Sequence, residues 1–193
     1  MSSAAYWEQR YASGGDSGSG SEGINAVWKA MVLNDFVAER RVTDVLEYGC
    51  GDGRQLALAD YPRYTGLDVS ATAIALCEER FASDGTKDFL KLPPPWPLAA
   101  DLVLSLDVIY HLTEDLVFER HMVDVFTSAI YWVALYTTDS DRIDPEFIPA
   151  NHVRHWPVST YVKEAFPDWE LIDLIMNPAP HMGGCDFYIY ERR

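Results

Sequence analysis

Residues 44–68 contain the residues whose types and spacing most directly indicate a binding or catalytic function. Gly49, Gly51 and Gly53 alternate after an apolar strand, and Asp68 ends the next strand, 19 residues after the first glycine. Alternating glycines let backbone approach a ligand closely. An acid at a strand tip can accept hydrogen bonds from both hydroxyls of a ribose. The segment therefore predicts a binding site for a nucleoside cofactor.

The spacing of the glycines selects among nucleoside cofactors. A dinucleotide-binding turn has the pattern G-x-G-x-x-G, and here the third position is Arg54. The chain instead reads E-x-G-C-G-D-G from Glu47 to Gly53. This pattern resembles the first motif of class I S-adenosylmethionine-dependent methyltransferases, and Asp68 matches the acid that ends their second strand. The resemblance runs from about residue 6 to the end, and it implies S-adenosyl-L-methionine as the cofactor.

The resemblance also implies which residues contact the cofactor. The glycine turn would pass beneath the methionine and ribose portions, Asp68 would hold the ribose, and Leu67 and Val69 would lie beside the adenosine. The adenine contact is left open among Asp88, Phe89 and Leu90. The full set expected at the cofactor is Glu47, Gly49, Cys50, Gly51, Gly53, Leu67, Asp68, Val69, Ser105, Leu106 and Tyr11.

The segment SLDVIYHL, residues 105–112, resembles the family motif that faces the transferable methyl group. The resemblance places Asp107 beside the methionine and turns Tyr110 and His111 toward the substrate. Asp107 and His111 are the catalytic candidates. A histidine at the carboxyl end of a strand can take a proton near neutral pH, so His111 is the expected base. Its alternative role is to cap a helix or satisfy a core hydrogen bond.

Two polar stretches follow the fifth strand. The first carries four acids, which could hold Mg²⁺ or form a solvated loop; they are Asp139, Asp141, Asp144 and Glu146. The second is NHVRHW, residues 151–156. His152 and His155 lack a third zinc ligand nearby. Together with Arg154 they are expected to recognise an anionic or hydroxyl-rich acceptor. No bound metal is expected.

The amino-acid composition limits the classes of molecule that the protein is expected to bind. The 193 residues carry a formal charge of −15, which repels nucleic acid and anionic lipid surfaces. The three cysteines form no C-x-x-C pair, and this favours a reducing compartment without disulfides or zinc. No signal-like segment or membrane-spanning run is recognisable. We therefore expect a cytoplasmic protein that acts on a small molecule, of undetermined oligomeric state.

Hydrophobic periodicity predicts strands that alternate with helices. The strands are expected at about 44–48, 64–68, 86–92, 101–107, 130–136, 169–176 and 185–192, and the helices at 24–39, 53–60, after Ser70, after Thr113 and at 158–166. The helix at 24–39 carries an apolar stripe of Val27, Met31, Val32 and Phe36. The pattern predicts an α/β, Rossmann-like fold with a mostly parallel seven-stranded sheet, helices on both faces and a C-terminal antiparallel hairpin.

We expect one methyltransferase domain over residues 1–193, with an N-terminal helical segment (1–40) and a core (41–193). Residues 6–11 read as a short helix. It either packs on the domain edge or forms a lid whose Tyr6, Trp7 and Tyr11 close over the cofactor, with the glycine- and serine-rich residues 12–23 as its hinge.

The sequence thus predicts a methyltransferase that acts on a small molecule, preferably at a hydroxyl of a sugar, glycan or secondary metabolite. Two alternatives stay open. One is a catalytically silent protein that binds S-adenosylmethionine, and the other is an NAD(P)-dependent oxidoreductase, which Arg54 and the terminal hairpin disfavour.

Overall fold

The computed structural model describes residues 2–142, 152–178 and 184–193. Within them the helices are α1 Ser3–Ala12, α2 Gly23–Arg40, α3 Ala71–Arg80, α4 Asp115–Ser128 and α5 Val158–Ala165. The strands are β1 Asp44–Tyr48, β2 Arg63–Asp68, β3 Lys87–Lys91, β4 Ala100–Leu106, β5 Ala129–Thr137, β6 Trp169–Ile175 and β7 Asp186–Arg192. The chain divides into two compact units, Met1–Asp101 and Leu102–Arg193.

The strands form one seven-stranded sheet in the order β3-β2-β1-β4-β5-β7-β6. In the first unit β1, β2 and β3 pair in parallel, so their carboxyl ends lie at one edge. In the second unit β7 pairs antiparallel with both β5 and β6. The mixed sheet and the antiparallel C-terminal pair are the architecture predicted from the sequence.

Helix α2 forms where periodicity predicts it, but it buries a different face. Ala26, Ala30 and Leu33 are 5% exposed or less, whereas Val27 and Met31 of the predicted stripe are 48% and 60% exposed. Small alanine side chains let a helix backbone approach its neighbour closely. The choice of buried face therefore depends on packing that periodicity alone does not contain.

The helix expected at 53–60 is wrong. This stretch contains only a single 3₁₀ turn, Leu56–Leu58. The side chain of Asn34 accepts a hydrogen bond from the Asp60 amide and donates one to the Leu58 carbonyl. These contacts occupy backbone groups that a longer helix would have used, and so short a segment gains little from helix formation.

The cap of α4 also differs from the prediction. Ser70 caps α3 as expected, since its side chain accepts from the Ala73 amide. At α4, however, the N-cap residue is Glu114 and makes no side-chain cap bond. Thr113 lies one residue before this cap, and its hydroxyl donates to the Glu114 carboxylate at 3.2 Å.

Aromatic stacking supports the loops of the second unit. The ring of Phe118 in α4 lies parallel to that of Trp156, 4.0 Å away between centroids. The Trp156 indole also donates to the carbonyl of Leu112, at 2.9 Å. The segment after β5 is thereby fixed on the segment after β4.

Among the described residues, no helix is both long enough and apolar enough to span a membrane.

Candidate active site

The turn after β1 has the backbone geometry that its glycines allow. Gly49, Gly51 and Gly53 have φ angles of 90°, 56° and 75°, a region that side chains with a Cβ atom rarely adopt. The amides of Gly49 and Cys50 both donate to the Leu67 carbonyl, at 2.7 and 3.0 Å. The turn is thus attached to the carboxyl end of β2, next to Asp68.

Asp68 joins the turn to the start of α3. Its side chain is 6% exposed. One carboxylate oxygen accepts from the Gly51 amide at 3.0 Å and the other from the Ser70 amide at 2.8 Å. Burial raises the pKa of this carboxyl against the opposing effect of the backbone amides of Ser70, Gly51 and Val69. Each oxygen retains a second lone pair, which is the capacity that a pair of ribose hydroxyls requires.

Other residues expected at the cofactor lie within the structure around the turn. Glu47 is 4% exposed and accepts from the Tyr64 hydroxyl at 2.5 Å. Cys50 is buried beside Cys77, and this contact together with burial raises the pKa of its thiol. Leu67 is fully buried and Val69 is 37% exposed. Their contact with the cofactor stays a prediction.

Helix α1 contributes Tyr11 to the turn. The Tyr11 ring is 5% exposed and its hydroxyl lies 3.0 Å from the Ser17 hydroxyl. Ser17 donates to the Asp52 carboxylate at 2.8 Å. Sequence analysis predicted Tyr11 at this site but missed Ser17 and Asp52. The only signal for Asp52 was its place between two glycines of the motif.

In the second unit, Asp107 directly follows β4 and has a φ of 58°, which is uncommon for a residue with a side chain. Its amide donates to the Tyr136 carbonyl at 2.9 Å, and its carboxylate accepts from the Tyr110 hydroxyl at 2.9 Å. Burial, followed by the charge of Asp107, raises the pKa of Tyr110. The tyrosine therefore stays protonated and acts as a hydrogen-bond donor.

The segments after β4 and β5 come together around His111. The Nδ1 atom of His111 lies 3.3 Å from the His152 carbonyl oxygen, and the two imidazole rings stack with centroids 5.6 Å apart. The Arg154 amide donates to the Tyr110 carbonyl at 2.8 Å. Three of the predicted acceptor residues, Tyr110, His152 and Arg154, thus lie beside the expected base.

Arg154 has several contacts of its own. Its guanidinium donates to the Thr113 carbonyl at 3.1 Å, pairs with Asp115 at 2.8 Å and lies 3.6 Å over the Trp156 ring. The side chain is therefore held in one place beside the segment after β4. Such a planar cation can bind an acidic or hydroxyl-bearing ligand.

Three predicted site residues point into the packed parts of the second unit. Ser105 is fully buried, and its hydroxyl lies 2.8 Å from Nε2 of His121. Leu106 is 6% exposed. His155 places Nδ1 2.7 Å from the Thr138 hydroxyl, and burial lowers its pKa. Sequence analysis missed His121, whose pKa burial lowers to about 4, because it belongs to no motif.

The acids after β5 are engaged by α5. Asp139 accepts from the Ser159 amide at 3.0 Å, and Asp141 accepts from the Thr160 hydroxyl at 2.7 Å. Asp144 and Glu146 lie outside the described residues. Within the described ranges, no group of three His, Cys, Asp or Glu side chains is arranged to hold a metal ion.

Comparison with known proteins agrees with this geometry. Residues 46–129 match the family model of a methyltransferase domain. This stretch contains the glycine turn, Asp68 and the segment from Asp107 to His111. No curated protein matches the sequence.

Several solved structures share the fold. The N-methyltransferase NodS from Bradyrhizobium japonicum WM9, crystallised with S-adenosylhomocysteine, aligns at a TM-score of 0.76 and 16% identity over 100% of this chain and 99% of that one. Magnesium protoporphyrin IX methyltransferase from Synechocystis PCC 6803, with bound S-adenosylmethionine, aligns at 0.70 and 13% over 100% and 98%. An amino pentose methyltransferase from Micromonospora echinaspora aligns at 0.68 and 12% over 90% and 94%.

Residues 46–129 match a methyltransferase domain, and the solved structures that share the fold include methyltransferases with bound S-adenosylmethionine or S-adenosylhomocysteine. The predicted Rossmann-like fold is confirmed. The methyltransferase domain, together with the ligands bound in these structures, indicates a methyltransferase that uses S-adenosyl-L-methionine. The Asp68 carboxylate, which is oriented by two backbone amides, suits the two hydroxyls of the ribose of such a ligand.

Proposed function

We propose that the protein transfers the methyl group of S-adenosylmethionine to a hydroxyl of a small molecule, preferably a sugar, glycan or secondary metabolite. The observation that carries the proposal is the cluster of hydrogen-bonding side chains after β4 and β5. Tyr110, His111, His152 and Arg154 lie together there. The net charge of −15 disfavours nucleic acid as the acceptor.

On the cofactor side, the proposal assigns the ribose hydroxyls to Asp68 and the remainder of the cofactor to the backbone of the glycine turn. Asp68 is already oriented by the amides of Gly51 and Ser70. A ligand that replaces water on this carboxylate meets a preorganised acceptor. The resemblance further assigns Ser105, Leu106 and Asp107 to the methionine portion.

On the acceptor side, His111 is proposed as the general base. A carbonyl oxygen only accepts hydrogen bonds, so the contact with His152 favours the tautomer that carries its proton on Nδ1. The lone pair then lies on Nε2, the form that removes a proton from a hydroxyl. Tyr110, Arg154 and the two histidines supply both donors and acceptors for a hydroxyl-rich molecule.

Methyl transfer makes limited chemical demands on the protein. S-adenosylmethionine supplies an electrophilic methyl group on a sulfonium when it is bound. The protein aligns the acceptor with that group, and alignment is worth up to several powers of ten. A hydroxyl is almost wholly protonated at pH 7, so a base adds about 10² to 10⁴ in rate.

Two measurements test the proposal. Calorimetric titration with S-adenosylhomocysteine and NAD should show binding of the first compound only. A methyl-transfer assay over sugars, phenols, amines and carboxylic acids should then show turnover of hydroxyl acceptors. Turnover of amines alone would refute the hydroxyl assignment, and binding without any turnover would favour the silent cofactor-binding alternative.

A further inference from the structure

The side chain of Arg54 is surrounded by carboxylates of the first unit. Its guanidinium pairs with Asp16 at 3.0 Å and with Asp52 at 3.2 Å, and it also pairs with Glu22. Asp52 lies in the glycine turn, whereas Asp16 and Glu22 precede and follow the short turn at 19–21. Arg54 thus connects the turn to a segment more than 30 residues earlier in the chain.

The part of this earlier region at residues 10–18 is called the strap below. Ser17 binds Asp52 three times. Its hydroxyl donates to the carboxylate at 2.8 Å and accepts from the Asp52 amide at 3.1 Å, and its own amide donates to the carboxylate at 3.4 Å. Asp16 receives the Arg10 guanidinium at 3.2 Å and the Gly18 amide at 2.9 Å. The strap is therefore closed on itself and attached to the turn.

The contacts lead from Arg54 to Tyr11 in three steps. Arg54 fixes the Asp52 carboxylate, the carboxylate fixes the Ser17 hydroxyl, and that hydroxyl lies 3.0 Å from the Tyr11 hydroxyl. The Ser17 hydroxyl has a single proton and donates it to Asp52. Tyr11 is therefore the donor in the hydrogen bond between the Tyr11 and Ser17 hydroxyls. The orientation of Tyr11 therefore depends on an ion pair that Tyr11 does not itself touch.

The strap also lies directly on the turn. A Cβ atom added to Gly51 would come within 2.4 Å of the Ser17 hydroxyl oxygen and 2.8 Å of the Tyr11 hydroxyl oxygen. Glycine at this position allows the strap to pack closely against the turn along which the cofactor is proposed to bind. A second attachment holds α1, since the Thr72 hydroxyl donates to Glu8 at 2.7 Å.

We propose that Arg54 is a positioning residue that clasps the strap over the cofactor site, so that breaking its ion pairs lets the cofactor leave faster. This inference rests on the proposed binding of the cofactor at the glycine turn. It revises the hinge expected at 12–23, because Asp16 and Ser17 make the segment an anchored clasp. The alternative is that the ion pairs of Arg54 only stabilise the fold. Breaking them would then lower the free energy of unfolding without changing the rate of cofactor release.

The test compares Arg54→Gln with the matched control Arg63→Gln. Arg63 also forms an ion pair in the first unit, with Asp44, but at the opposite ends of the strands. Partly exposed pairs are individually weak, and three carboxylates around one guanidinium add up. We expect Arg54→Gln to raise the dissociation rate of S-adenosylhomocysteine about tenfold in stopped-flow tryptophan fluorescence, and Arg63→Gln to leave it within about twofold.

Salt supplies an independent readout. Exposed ion pairs are screened between about 0.05 and 0.5 M NaCl. The dissociation rate from the wild-type protein should therefore rise with salt, and this dependence should be weaker in Arg54→Gln. Single-turnover methyl transfer in the preloaded complex should stay within about twofold in the variant, because Arg54 is expected to affect cofactor release and not the chemical step.

Hydrogen exchange without ligand separates failure of the clasp from failure of the proposed cofactor site. The Ser17 amide should exchange faster in Arg54→Gln than in Arg63→Gln, whether or not the cofactor binds. Unchanged exchange at Ser17, or faster exchange without faster cofactor release, would overturn the clasp. A wild-type protein that bound no S-adenosylhomocysteine would overturn the proposed site, and the clasp on the cofactor with it.

Discussion

The glycine turn and the loops after β4 and β5 are built in different ways. The turn is held through its main-chain amides, two of which donate to the Leu67 carbonyl and one to the Asp68 carboxylate. The loops are held by side chains, such as Arg154 on Asp115 and Trp156 on Phe118. The turn tolerates few changes of sequence because its positive φ angles favour glycine, whereas the side chains of the loops can be altered one at a time.

This difference matches the division of labour in the proposed function. The proposed cofactor site uses a turn whose backbone shape its glycines allow. The proposed acceptor site uses side chains in loops. Substitutions in the two regions should therefore change different kinetic quantities.

The largest effect is expected at His111. His111→Ala should lower kcat by about 10² to 10⁴ for a hydroxyl acceptor, because the base is lost. The affinity for S-adenosylhomocysteine should stay within about twofold. Steady-state kinetics and calorimetry measure the two quantities. Arg120→Ala, on the exposed face of α4, is the control and should match the wild type. Full activity of His111→Ala would assign His111 a structural role.

Asp68 should show the opposite pattern. Asp68→Ala should weaken binding of S-adenosylhomocysteine about 100-fold, since it removes the acceptor of the ribose hydroxyls, one contact with the turn at Gly51 and one with the start of α3 at Ser70. Calorimetry measures this loss, and Asp84→Ala, which lies in the α3–β3 turn, should bind normally. If both aspartate variants bound equally well, the ribose assignment would be wrong.

A smaller effect concerns stability and pH. The pKa of His121 is lowered to about 4 by burial, against about 6.5 in an unfolded chain. Between these values the unfolded state binds more protons, so acidification from pH 6.5 to 4 should remove up to about 3 kcal/mol of stability. Urea unfolding of wild type and His121→Gln measures the difference. The wild type should lose stability more steeply on acidification than His121→Gln, and an equally steep loss in the variant would contradict the assignment.

The smallest effect is expected from chelation. Asp139 and Asp141 already bind groups of α5, and positioning with a histidine base suffices for the proposed chemistry. Methyl transfer should therefore be unchanged in EDTA. Loss of activity that Mg²⁺ restores would assign the acidic stretch after β5 a catalytic function.

Local signals explain which features the sequence reveals. The positive φ angles of Gly49, Gly51 and Gly53 require glycine, so the turn is readable from residue types alone. The role of Arg54 is not readable, because its partners Asp16 and Glu22 lie more than 30 residues away. The buried face of α2 depends in the same way on tertiary packing.

In the acceptor region the sequence indicates the local motif but not the contacts between distant segments. The motif around His111 is contiguous, but its contact with His152 joins residues 41 positions apart. Ser105 illustrates the limit, since only the fold shows that its hydroxyl meets His121. Pairings between distant segments are set by packing and leave no local pattern.

A crystal structure of the complex with S-adenosylhomocysteine tests the central claim most directly. The account predicts that the ligand lies along Gly49–Gly53 with both ribose hydroxyls within hydrogen-bonding distance of the Asp68 carboxylate. A ligand bound elsewhere, or with its ribose turned away from Asp68, would contradict it.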